Sequence, residues 1–231
     1  MNIASYIDHT FLKPATLFID LQKVCLEAID YGFAAVCIPP SLVKQAKKMV
    51  TGSSVKVATV IGFPFGYSAT KAKLAEIEQA IADEADELDV VINLIALKNA
   101  DWSQLEKEMG TLTSNAHANN KLIKVIIETG LLTDDEIIRC CELYAGLQVD
   151  FIKTSTGYAE KGASVASVQL IRKHLPESVR VKASGGIRNY EFAKLLIEAG
   201  ADRLGCSASV QIVNEARVRE KAALGKEYEN K

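Results

Sequence analysis

"VDFIKTSTGYAEKGASVASVQLIRKHLPESVRVKASGGI", residues 149–187, holds two short β-branched runs, VDFIK and VRVKA, on either side of a helical stretch that contains His174. Each run carries a lysine, Lys153 or Lys182, close to where it gives way to a glycine-containing loop. Strand, helix, strand is the order of two parallel neighbours, because a parallel pair needs a crossover, usually helical, to bring the chain back to the same edge. This unit therefore predicts a parallel sheet.

The same alternation runs outward in both directions. Candidate strands lie at 3–8 (IASYID), 34–38 (AAVCI), 56–62 (KVATVIG), 87–93 (ELDVVIN), 122–128 (LIKVIIE), 149–153, 179–183 and 202–207 (DRLGCS). Between them come helical patterns such as LQKVCLEAIDYG, KAKLAEIEQAIADEA, DDEIIRCCELYAG and NYEFAKLLIEAGA, whose apolar positions recur at three and four residues. Eight such units in 231 residues suit an α/β fold of the closed TIM (β/α)8 barrel type, a single domain over 1–231. An open doubly wound sheet is the rival, but its usual GxGxxG after the first strand is absent.

The composition, 48% hydrophobic and 24% charged, supports a large core, and no Pro/Gly/Ser-rich linker or charge block divides the chain. With 27 Lys+Arg against 29 Asp+Glu the net charge is −2, so no broad basic surface points to nucleic acid or an anionic membrane. The five cysteines show no CxxC spacing, which argues against a zinc site or a disulfide framework. Neither a signal-peptide pattern nor a run of about 18 apolar residues is present, so the cytoplasm is the expected compartment.

In such a barrel, function belongs at the carboxyl ends of the strands. The expected ends bring Asp8, Lys13, Asp89, Asn93, Lys124, Glu128, Lys153, Lys182 and Ser207 to one face. Strand parity alone does not say which lysines point inward. If Lys153 and Lys182 both do, burial and mutual repulsion disfavour the second ammonium, and one amine becomes neutral and nucleophilic. Such an amine attacks an aldehyde to form an iminium, which draws electrons from the adjacent carbon and opens the way to carbon–carbon cleavage or formation. Lysines at strand ends also commonly reach out to solvent. Asp89, inside an apolar strand, fits either a structural ion pair with Lys182 or Lys124 or a catalytic carboxylate.

The loops after strands seven and eight are where barrels often hold phosphate. There stand Gly185 and Gly186 in ASGGI and Ser207 in GCSAS, with Gly157 in the neighbouring TSTG loop. Singly these are turn glycines and a cap serine; together they make an anion site. Asp8 and His9 are adjacent on a strand and face opposite sides, so they do not form a metal pair. Asp8 fits either a substrate hydroxyl contact or a turn. Tyr228 in the polar tail GKEYENK is a candidate to fold back over the mouth.

The motifs DHTFLKP, VCIPP, VIGFPFG, ELDVVIN, KVIIETG, DFIKTSTG, VKASGGIR and RLGCSAS, in this order over residues 7 to about 209, resemble deoxyribose-phosphate aldolases. The resemblance implies a cofactor-free, metal-free class I aldolase on a TIM barrel, cleaving 2-deoxy-D-ribose 5-phosphate to acetaldehyde and D-glyceraldehyde 3-phosphate. It implies a homodimer or homotetramer whose partner is a small phosphosugar. By the same resemblance Lys153 is the Schiff-base lysine, Lys182 perturbs its protonation and Asp89 is the acid/base partner. Asp8 is similar to a residue that contacts substrate hydroxyls, and Lys124 to a further polar site residue. Gly157, Gly185, Gly186 and Ser207 match the phosphate-contacting positions. Two departures stand out: Tyr158 replaces a lysine that some members carry, and Ala208 replaces a second serine. Lys161 is a candidate to restore the lost charge. Two rivals are a phosphosugar isomerase or synthase, which borohydride would not trap, and an inactive barrel that binds sugar phosphate without releasing acetaldehyde.

Overall fold

In the computed structural model the described residues are 2–229, with side chains described through Glu220; Tyr228 therefore lies outside the described side chains. Eight parallel strands close in chain order into a barrel: β1 (Ile7–Thr10), β2 (Ala35–Ile38), β3 (Lys56–Ile61), β4 (Glu87–Val91), β5 (Leu122–Ile126), β6 (Phe151–Lys153), β7 (Arg180–Ser184) and β8 (Arg203–Cys206). Around them run α1 (Phe18–Tyr31), α2 (Val43–Val50), α3 (Thr70–Ala82), α4 (Leu94–Lys98), α5 (Trp102–Ala118), α6 (Asp134–Gly146), α7 (Val165–His174), α8 (Tyr190–Glu198) and α9 (Ser209–Glu229).

Strand boundaries differ from the expected ones for local reasons. Residues 3–6 form a 3-10 turn rather than strand, with Ile3 and Ala4 both buried, and pairing begins at Ile7. β4 stops at Val91 because Asn93 turns to cap α4, its Oδ1 accepting from the Ala96 N–H. β5 stops at Ile126 ahead of Glu128, whose φ of 57° redirects the chain. β7 runs on to Ser184, so Lys182 sits mid-strand and not at a strand end, as do Asp89 in β4 and Lys124 in β5. α6 starts cleanly on a capping box, with Thr133 Oγ1 accepting from the Glu136 N–H and Glu136 Oε2 from the Thr133 N–H.

The main apolar core is the shell between strands and helices. Outward side chains such as Val36, Leu88, Val90, Ile123, Ile152, Val181 and Leu204 pack there against Val24, Ile77, Met109, Leu112, Ile171 and Leu196. The barrel interior is a separate compartment. Register partners share a face, and the inward row includes Ala58 with Glu87, Val60 with Asp89, Asp89 with Lys124, Lys153 with Lys182 and Lys182 with Arg203. On the β2–β3 side this interior is a small apolar cluster of Ala35, Cys37, Ala58 and Val60, roofed by Leu12 and Phe63. On the other side it is charged, where barrels usually stack branched apolar residues.

Candidate active site

The interior charges form one connected network. Asp89 is its centre: Oδ2 accepts from Lys153 Nζ and from Lys182 Nζ, each at 2.7 Å, and Oδ1 accepts from Lys124 Nζ at 2.7 Å. Lys182 also donates to Asp8 Oδ2 at 2.5 Å. Lys124 also pairs with Glu87 Oε2 at 2.7 Å. Arg203 closes the base, with Nη1 on Asp8 Oδ1 and Nη2 3.1 Å from Glu87 Oε1. Phe151 forms the floor near them, with the Arg180 guanidinium 4.1 Å from its ring centre.

Burial disfavours the charged form of every member, and neighbours decide the outcome. Burial pushes the Lys153 amine below the ordinary lysine range, helped by Lys182 and only partly offset by Asp89. Burial presses equally on Lys182, but Asp8 and Asp89 together outweigh it and raise its pKa. Lys124 is likewise raised, Asp89 and Glu87 overcoming its burial. Against their own burial, the three lysines hold Asp89 well below the usual carboxylate range, and Lys182, Lys124 and Arg203 bring Asp8 down to about 2. One amine is weakened as an acid-stable cation while its two neighbours are fixed as cations.

Access separates the lysines further. A cavity of about 320 Å³ opens at the carboxyl end of the barrel, and Lys153 lines it at 2% exposure. Lys124 and Lys182 are fully buried beneath and do not reach it. Gly157, Gly185, Gly186 and Ser207 line the same cavity, together with Lys13, Tyr158 and Arg188. The β6 and β7 loops are locked side by side, the Ala163 N–H donating to Ser184 O and Gly185 O. Gly185 has φ of 91°, and a Cβ there would lie 3.0 Å from the Gly162 Cα. Glu128 anchors the far side of this loop, accepting from the Thr156 hydroxyl at 2.5 Å and from the Thr156 N–H at 3.2 Å. A larger groove of about 780 Å³ lies between α1 and α9, but none of the barrel lysines opens into it.

Residues 2–209 match the model of the DeoC/LacD family aldolases. The chain belongs to this aldolase family. Over 219 residues it is 49% identical to a deoxyribose-phosphate aldolase of Thermococcus gammatolerans, covering 94% of this chain and 97% of that protein. It is 50% identical over 218 residues to one from Bacillus mycoides, with 94% and 97% covered. Among solved structures it is similar to QR15, an aldolase, at a TM-score of 0.90 and 38% identity, covering 95% of this chain and 98% of that one. The tetrameric deoxyribose phosphate aldolase of Aeropyrum pernix superposes at 0.87 with 31% identity, covering 93% and 91%.

The aldolase thus brings Lys153, Lys182, Asp89, Lys124 and Asp8 into one network, and Gly157, Gly185, Gly186 and Ser207 into one cavity wall. Two expected substrate contacts stand elsewhere: Asp8 and Lys124 are fully buried below the cavity, with their polar atoms engaged by Lys182, Arg203, Asp89 and Glu87. Lys161 is absent from the cavity wall; its backbone instead approaches Gly130. Tyr158 crosses the mouth, its hydroxyl donating to Leu12 O at 2.7 Å and its ring edge-on to Phe63. His9 faces outward between Ser209 Oγ and Glu27 Oε2, at 2.9 and 2.8 Å. Among the described residues no helix is long and apolar enough to cross a membrane.

Sequence reading passed over Glu87, Arg203 and Gly205. Glu87 lies two residues before Asp89 and so shares its face, a parity that was legible. Arg203 sits in the least apolar strand, where the pattern is weakest. Gly205 leaves room for its neighbours, since a Cβ there would fall 2.3 Å from Ser184 Oγ and 3.1 Å from Lys182 Cε.

Proposed function

We propose that this chain reversibly cleaves 2-deoxy-D-ribose 5-phosphate to acetaldehyde and D-glyceraldehyde 3-phosphate through an iminium on Lys153. The observation that carries the assignment is access combined with charge: of the three interior lysines, Lys153 alone opens on the cavity, and it alone is pushed toward the neutral form.

The neutral Lys153 amine adds to C1 of the open-chain sugar, and loss of water from the carbinolamine gives the iminium. The C3 hydroxyl then passes its proton to solvent in the open cavity as the C2–C3 bond breaks. The bonding electrons move into the iminium as an enamine while glyceraldehyde 3-phosphate departs. Protonation at C2 and hydrolysis release acetaldehyde and restore the amine. The iminium is a cation formed from a neutral group, and Asp89 Oδ2, 2.7 Å from Lys153 Nζ, receives that charge without reorganising. Asp89, held ionised by the lysines around it, is the shared counter-ion to Lys153, Lys182 and Lys124. Lys182 remains the cation that keeps Lys153 neutral. Asp8 and Lys124 hold this pair in place from below.

The phosphate is assigned to the Gly185–Gly186 turn, Gly157 and Ser207 just ahead of α9, with Arg188 and Lys13 adding positive charge at the rim. Assembly as a homodimer or homotetramer is supported by Leu17, Phe18 and Ile19 at the start of α1, which stand 65%, 69% and 64% exposed as consecutive apolar residues.

Reduction with borohydride in the presence of acetaldehyde tests the central assignment. An ethyl group on Lys153 is the expected product, and Lys153→Ala loses both adduct and turnover. Labelling of another lysine with Lys153 untouched sinks the proposal.

A further inference from the structure

The network contains four basic side chains, Lys124, Lys153, Lys182 and Arg203, and three acidic ones, Asp8, Glu87 and Asp89. Fully ionised, it holds one surplus positive charge in a closed, desolvated barrel. Such a surplus is relieved most cheaply by losing one proton. Arginine does not give one up. Lys182 is shared between Asp8 and Asp89, and Lys124 between Asp89 and Glu87, whereas Lys153 has Asp89 alone. The proton therefore leaves Lys153, and three cations then face three anions.

We propose that Arg203 and Glu87, at the amino-terminal end of the barrel, are positioning residues that set the charge balance against which Lys153 stays neutral. Neither lines the cavity, and both act through others: Arg203 through Asp8 and Lys182, Glu87 through Lys124 and Asp89. The inference rests on Lys153 being the nucleophile. The other titratable groups that face it are Asp89, Lys182, Lys124, Asp8, Cys37 and Glu128. Burial holds the Cys37 thiol protonated, and the Glu128 carboxylate is turned to the Thr156 hydroxyl and N–H and makes no ion pair with the network, so its charge reaches Lys153 only from outside it.

Opposite signs distinguish this role from scaffolding. Activity is lost as pH falls through the ionisation of Lys153, so the acid limb of kcat/KM reports that group in the free enzyme. Arg203→Met removes a cation, favours protonated Lys153, and moves the limb to higher pH by about one unit. Glu87→Gln removes an anion and moves it to lower pH by a similar amount, while Arg203→Lys leaves it in place. Limbs that stay fixed, or that move together, overturn the proposal. If Arg203→Met does not fold, the contrast between a lowered limb in Glu87→Gln and an unmoved one in Arg203→Lys decides the matter alone. Borohydride trapping on the wild-type enzyme runs alongside. No adduct on Lys153 overturns the nucleophile and this inference with it, whereas an adduct with unmoved limbs overturns this inference only.

Discussion

Replacing Lys182 by Met keeps most of the length of the side chain and removes its charge. The Lys153 and Lys182 nitrogens both lie 2.7 Å from the same oxygen, Asp89 Oδ2, so they are at most about 5.4 Å apart. At about 5 Å and an effective dielectric constant of about 20, two unit charges repel by about 3 kcal/mol. That corresponds to roughly a hundredfold in the balance between neutral and protonated Lys153. Loss of Lys182 also exposes Lys153 to more of the Asp8 and Asp89 charge, which acts in the same direction. The folded pKa of Lys153 rises, so the acid limb of kcat/KM is displaced upward by about two units; activity at pH 7 falls, by about 10²-fold at most, and is regained as pH is raised. Acetaldehyde release followed through a coupled alcohol dehydrogenase gives the profile. Breaking a buried ion pair costs about 3–5 kcal/mol, so the melting temperature is measured in parallel and assays are run well below it. A loss of activity equal at every pH would refute the electrostatic argument and leave Lys182 a direct proton carrier.

Two further outcomes test the cavity wall and the surface. Gly185→Ala strains a φ of 91° and crowds Gly162, so KM for deoxyribose 5-phosphate rises about tenfold with little change toward unphosphorylated deoxyribose; equal effects on both sugars remove Gly185 from the phosphate site. Phe18→Asp places a charge in the exposed apolar start of α1, and sedimentation should show a smaller assembly than the wild type; an unchanged oligomer puts the interface elsewhere.

Much of this site was legible because barrels place chemistry by topology. Alternating strand and helix patterns located the closed barrel, and its carboxyl-end rule picked out Lys153 and the Gly157, Gly185, Gly186 and Ser207 wall before any coordinates. The rule overshot for Lys182, Asp89 and Lys124, because strand length depends on loop capping and on where neighbours stop pairing, as Asn93 and Glu128 illustrate.

What the chain determines by itself is periodicity, and hence which residues share a strand face and which loops carry glycine. It does not determine depth. Asp8 and Lys124 look like rim residues in one dimension, yet closure of the sheet carries them beneath Lys153, where Arg203 and Glu87, 116 residues apart, meet. The protonation of Lys153 belongs wholly to that closure, since it depends on how many partners each buried charge finds across the barrel, a count that no local pattern contains.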